Sequence, residues 1–128
     1  MQLSEPVKAF IENNIILIEE NDLELFFYNA LFALHTDGSA ELVSILRSTL
    51  GIDPEPAIKA ALVEWCKDSV ALQHRNKISV SNLLKLIPKF DYDMMTFRHM
   101  FIEAVKTAYP NKTLSPDNYG IEYIVEKQ

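Results

Sequence analysis

Apolar and polar positions recur with a helical period along most of the chain. In "SEPVKAFIENNIILIEEN", Val7, Phe10, Ile11, Ile15, Leu17 and Ile18 fall on one side, while Glu12, Asn13, Glu19 and Glu20 lie mostly elsewhere. Ser4 is placed to cap this helix, with Pro6 in its first turn. Asn21 followed by Glu24 has the spacing of a capping box, so a second helix is expected to begin there. That helix, "DLELFFYNALFALHTDG", is apolar on two sides. Leu23, Phe26, Phe27, Ala30, Leu31 and Leu34 form a broad stripe. Leu25, Tyr28 and Phe32 form a second stripe on the far side, across a narrow polar strip. The helix is expected to end with a left-handed Gly38, leaving His35 near its C-terminal end.

Ser39 is placed to cap a third helix carrying Leu42, Val43, Ile45, Leu46 and Leu50, stopped at Gly51. Asp53-Pro54 opens a fourth, on which Ile58, Ala61, Leu62, Trp65, Cys66 and Ser69 share a face before it runs out in "QHRNK". "KISV" is short and β-branched, as a strand would be. "SNLLKLIP" predicts a short helix capped at Ser81, and Asp91 or Asp93 caps a long one reaching about Tyr109. Its inward face is expected to hold Met94, Phe97, Phe101, Ala104, Val105 and Ala108. "YPNKTLSPDN" is turn-rich. "YGIEYIVEKQ" then alternates, with Tyr119, Ile121, Tyr123 and Val125 on one face, and needs "KISV" as its neighbour. The prediction is a mainly α single domain over residues 1–128, a helical bundle with a small C-terminal two-stranded antiparallel sheet. Residues 1–52 form a helical half, and residues 53–128 a helix-strand-helix-helix-strand half.

Composition narrows the class. With 48% hydrophobic residues, the chain has enough apolar side chain for a core, which excludes a disordered protein. A single cysteine, Cys66, rules out an internal disulfide and fits a reducing compartment. The longest apolar run, residues 25–34, is broken by Asn29 and is about half the ~20 residues a membrane helix needs. No basic segment leads into an apolar one at the start, so a signal peptide is not expected. These features predict a cytoplasmic protein without membrane association. The net charge of −6 is unevenly distributed. Residues 1–73 hold four basic and twelve acidic side chains; residues 74–128 hold eight and six. The chain as a whole repels nucleic acid, while its second half alone does not.

Catalytic and metal chemistry find little support. His99 and Glu103 stand four apart on one helix, but there is no second histidine at a metal-binding spacing. The acidic run "EENDLE" lacks the ligand spacing and glycine of a calcium loop. Cys66 follows Trp65 on a face that reads as buried, unlike a reactive thiol. Three glycines, Gly38, Gly51 and Gly120, are too scattered for a phosphate loop. No enzyme activity, cofactor or metal is expected.

Two readings of function remain. The first takes the second stripe as a surface for a protein partner or a second copy of the chain. Leu25, Tyr28 and Phe32 make the contact, and Glu19, Glu20 and Glu24 favour a basic partner. A central position for this helix, with both stripes covered by its own neighbours, is the competing explanation. The second reading starts from the element order over residues 56–128, which resembles a winged-helix domain. That resemblance implies nucleic-acid binding through the helix at residues 93–109, with Arg98, His99 and Lys106, and through a wing at residues 111–120, with Lys112. The set is poor in cations, so binding is expected to be weak. Finally, "FIENNIILIEENDLELFFYNA" resembles the openings of small helical proteins encoded by bacteriophages and other bacterial mobile elements. This implies a regulatory binding module acting on a host or phage protein.

Overall fold

A computed structural model describes residues 3–127, and the helical prediction for most of the chain can be followed element by element. α1 (Glu5–Asn13) begins after Ser4 with Pro6 in its first turn and buries Val7 and Phe10. At Asn14 the helix breaks, the backbone leaving the helical conformation (φ −122°) while the side-chain amide donates to the Phe10 carbonyl at 2.9 Å. α2 (Ile15–Glu19) follows at once. Its end is closed by Asn21, which adopts the left-handed conformation (φ 57°) that asparagine tolerates better than most residues. Asn21 therefore does not cap the next helix. Asp22 does, accepting from the Leu25 amide, and α3 runs Leu23–Ala33.

The expected end of that helix at Gly38 is wrong. The backbone turns extended at Leu34 and His35, and α4 (Thr36–Thr49) has already begun when Gly38 is reached. Gly38 lies in its first turn, not in the left-handed region, which among the glycines only Gly51 and Gly120 occupy. His35 consequently precedes the start of a helix instead of following the end of one. Ser39 is fully buried and donates to the Thr36 carbonyl at 2.8 Å, so it is no cap either.

α5 (Glu55–Asp68) starts at Pro54, with the Asp53 carboxylate accepting from the Glu55 amide at 3.1 Å. The helix stops earlier than expected. Ser69 leaves the helical conformation and caps the short α6 (Val70–His74) by accepting from the Leu72 amide. β1 is Lys77–Ser79, and Ser79, not Ser81, caps α7 (Val80–Leu84). α8 (Met94–Ala108) is capped by Asp93, whose carboxylate accepts from both the amide and the hydroxyl of Thr96. Those bonds, the backbone one first, hold the Asp93 carboxyl below its ordinary range. Asp91 instead pairs with Arg47 of α4.

The architecture is mainly helical with a small antiparallel sheet, and the sheet has one strand more than expected. β2 (Lys112–Pro116) lies inside the stretch read as turns. It pairs with β3 (Glu122–Glu126), which also pairs with β1, giving the order β1-β3-β2. β2 is an edge strand ending in proline with Leu114 as its sole large apolar residue, so it lacks the alternation that marks a half-buried strand. Its hairpin turn is closed by Asp117, whose carboxylate accepts from the amides of Tyr119 and Ile121, and by Gly120 at φ 77°. In β3 the core residue is Ile124; Tyr123 and Val125 lie on the half-exposed face, and Tyr119 and Ile121 precede the strand.

α5 packs between α3 and α8 and supplies the centre of the core through Ile58, Ala61, Leu62, Trp65 and Cys66. The buried face of α8 is Phe97, Met100, Phe101, Ala104 and Val105. Ile15, Leu50 and Met94, expected inward, are exposed because each stands at the edge of its helix. An edge-to-face row of rings, Phe10–Phe26–Phe27–Phe90, joins α1 and α3 to the loop before α8, with centroids 5.0 to 5.7 Å apart. Phe90 is left-handed (φ 56°), a strain of roughly 1–3 kcal/mol, which the roughly 1.5–3 kcal/mol from burying its ring offsets.

The corrected position of Gly38 has a measurable consequence. A Cβ there would meet Val7 Cγ2 at 3.4 Å, an ordinary contact, and helical alanine is favoured over glycine. Gly38→Ala is expected to raise stability by about 0.5–1 kcal/mol. Gly51→Ala, at φ 64°, is expected to lower it by about 1–2 kcal/mol. Urea denaturation of both variants checks this; equal losses at the two positions would return Gly38 to a helix end.

Candidate functional site

Because α5 occupies the centre, α3 is covered on one side only. Its broad stripe is sealed: Phe26, Phe27, Ala30 and Leu31 are buried. The second stripe faces outward. Leu25 is 42% exposed and Phe32 65% exposed. Tyr28 between them is half-buried, its ring edge-on to Phe32 with centroids 5.2 Å apart. The competing explanation, a central helix covered on both stripes, describes α5 better than α3. Asn29, the polar break in the apolar run, donates to the Asn14 side chain at 2.9 Å and so ties α3 to the break between α1 and α2.

Tyr28 also reaches across to α5, donating its hydroxyl to the Asp68 carboxylate at 2.6 Å. That bond, then burial, then the negative charges of Asp68 and Glu64 push the phenol up to about 12. Around this contact lies a shallow recess of about 270 Å³ lined by Asp22, Glu24, Leu25, Tyr28, Glu64 and Asp68. Four carboxylates thus surround an apolar floor, with Glu64 also paired to Lys67 at 3.4 Å. Of the expected acids, Glu24 belongs to the recess. Glu19 and Glu20 are exposed at the end of α2 and do not line it. Glu64 and Asp68 were missed because they come from another helix some 40 residues away. Their spacing of four on α5, flanking the buried Trp65 and Cys66, was the available signal.

Phe32 lines a second recess of about 260 Å³ with Lys85, Leu86 and Pro88, where the α3–α4 junction meets the segment after α7. Leu86 is 65% exposed.

The cations expected to meet nucleic acid are dispersed. Lys112 is buried, a correction to its place on an outward wing: its ammonium donates to the Arg75 carbonyl at 3.3 Å and lies 5.7 Å from the Tyr109 ring centre. Arg98 is half-buried and held by Glu122, its Nε donating at 2.6 Å. Lys106 is exposed and pairs with Glu103 at 3.3 Å. His99 is exposed beside a recess of about 320 Å³ that Lys59, Val63 and Glu103 also line.

Among the described residues no three histidine, cysteine or acidic side chains are grouped to hold a metal ion. No helix among them is long and apolar enough to cross a membrane. Comparison with protein-family models, curated proteins and solved structures finds no match.

Cys66 is fully buried, and burial pushes its thiol up to about 12, so it is protonated at neutral pH. Iodoacetamide is expected to spare Cys66 in the native chain and to label it fully in urea. Mass spectrometry reads this directly; full labelling in native buffer at neutral pH would contradict the burial.

Proposed function

We propose that this chain is a non-enzymatic protein-binding module that works through the outer face of α3. One observation carries the reading: Leu25 and Phe32 stand exposed on either side of Tyr28, beside four carboxylates. Apolar side chains grouped at a surface favour association, since covering them removes apolar area from water. The carboxylates add attraction for cationic groups and set encounter rate and orientation. The recess is shallow and offers no activated nucleophile, which suits surface complementarity better than turnover. A regulatory protein of a phage or other mobile element, acting in the cytoplasm on a host or phage protein, is the setting we infer from the opening helices.

The test is a photo-crosslinking residue at position 32, with one at Thr107 on the exposed side of α8 as the comparison. Adducts are expected from position 32 in native cells, and Leu25→Glu is expected to abolish them. Because Leu25 is exposed, that change should alter stability by no more than about 0.5 kcal/mol. Adducts from position 107 with none from position 32 would remove the reading.

A second reading, a winged-helix nucleic-acid binder, is supported by the order α5, β1, α7, α8, β2, β3 with the short α6 as an addition. His99 and Lys106 are then its remaining outward contacts. Duplex DNA is expected to be retarded only at low salt, with a shallow salt slope set by so few phosphate contacts. Absence of any retardation at low salt removes this alternative.

A further inference from the structure

The recess beside α3 has a counterpart of opposite sign. A recess of about 680 Å³ lies where α7, β1 and β3 meet and is lined by Arg75, Lys77, Ser81, Leu86, Ile121 and Tyr123 among others. No carboxylate lines it among the described residues, just as no cation lines the α3–α5 recess. Arg75 and Lys77 have no acidic partner within 4.0 Å among the described residues. Lys77 instead lies 4.5 Å from the Tyr123 ring centre.

The two recesses belong to one continuous surface. Tyr28 lines the acidic recess and packs on Phe32. Phe32 and Leu86 both line the middle recess, and Leu86 also lines the basic one. The surface therefore passes from carboxylates through exposed apolar side chains to cations, with Lys85 beside the junction.

We propose that a second copy of this chain occupies this surface, related by a two-fold rotation. The proposal rests on reading the α3 face as a docking surface and names its occupant. A two-fold axis through the apolar middle sets each acidic recess against the partner's basic recess, so the same favourable contact forms twice. Phe32 and Leu86 of one copy then cover those of the other. A uniformly basic partner fits less well, because it would bring like charge onto Arg75 and Lys77; a uniformly acidic one would repel Glu24 and Asp68. Of simple charge patterns, the one matching both recesses is the pattern the chain itself carries.

Sedimentation equilibrium of the intact chain tests this, with circular dichroism confirming that each variant is folded. The wild-type chain is expected to dimerise in the micromolar range, with a dissociation constant that rises with salt. Glu24→Lys with Asp68→Lys cancels the charge of the acidic recess, setting two lysines against Asp22 and Glu64; Arg75→Glu with Lys77→Glu makes both recesses acidic. Each double variant is expected to weaken self-association by at least about tenfold. An equimolar mixture of the two is expected to restore dimers. A wild-type chain that stays monomeric, or a mixture that restores nothing, overturns the proposal. If the wild-type chain is monomeric while position 32 still crosslinks a different protein, self-association alone fails. If position 32 crosslinks nothing, the docking reading of α3 fails with it.

Discussion

The packing of α5 between α3 and α8 is the constraint from which the surface of this protein follows. α5 is the helix with core neighbours on two sides, and its Ile58, Leu62, Trp65 and Cys66 are all buried. Once that place is taken, α3 can be covered on one flank only. Its Phe26 and Phe27 join the core, and Leu25, Tyr28 and Phe32 are left facing outward. The apolar surface that distinguishes α3 is thus the remainder after one helix has claimed the centre. The Trp65–Phe101 contact on the other side, with centroids 5.9 Å apart, holds α8 in the corresponding position.

Polar groups fix how the elements meet. Asn14 breaks the first helical run and receives Asn29 of α3, which sets the turn between them. Lys112 and Arg98, both cations that could have been external, tie the sheet to its surroundings through the Arg75 carbonyl and Glu122. Every buried side-chain nitrogen or oxygen among the described residues has a partner. That matters energetically, because an unpaired buried polar group costs about 1–3 kcal/mol, a large part of a small domain's stability. The same pairings withdraw cations from the α8 side and make a nucleic-acid surface there weaker.

The charge imbalance between the two parts of the sequence becomes, in three dimensions, two recesses of opposite sign on one connected surface. The acids come from α3 and α5, and the bases from the segment that follows α6. Apolar side chains between them supply area, and the charges supply orientation. This division of labour is common in protein association and needs no catalytic group.

Much of the helical architecture was legible in the sequence because helical periodicity is a local property. The two stripes of α3 and the buried face of α5 follow from spacing within one turn or two, and the cap of α8 was narrowed to Asp91 or Asp93. Helix boundaries were less legible where two residues competed for one role. Asn21 and Asp22 both cap well, and only the left-handed turn at Asn21 decided between them. Gly38 carries the mark of a helix end, yet it lies in the first turn of α4, where a side chain would meet Val7 at ordinary contact distance. β2 carries almost no local signal, since an edge strand owes its existence to β3 and not to its own pattern. By itself, then, the sequence determined that α3 has two apolar faces and that acids precede bases along the chain. Which face is buried, and that Asp68 joins Tyr28 across 40 residues while Lys112 turns inward, was decided by tertiary packing. The reason is that burial depends on how all the helices pack against one another, and that is a property of the whole chain.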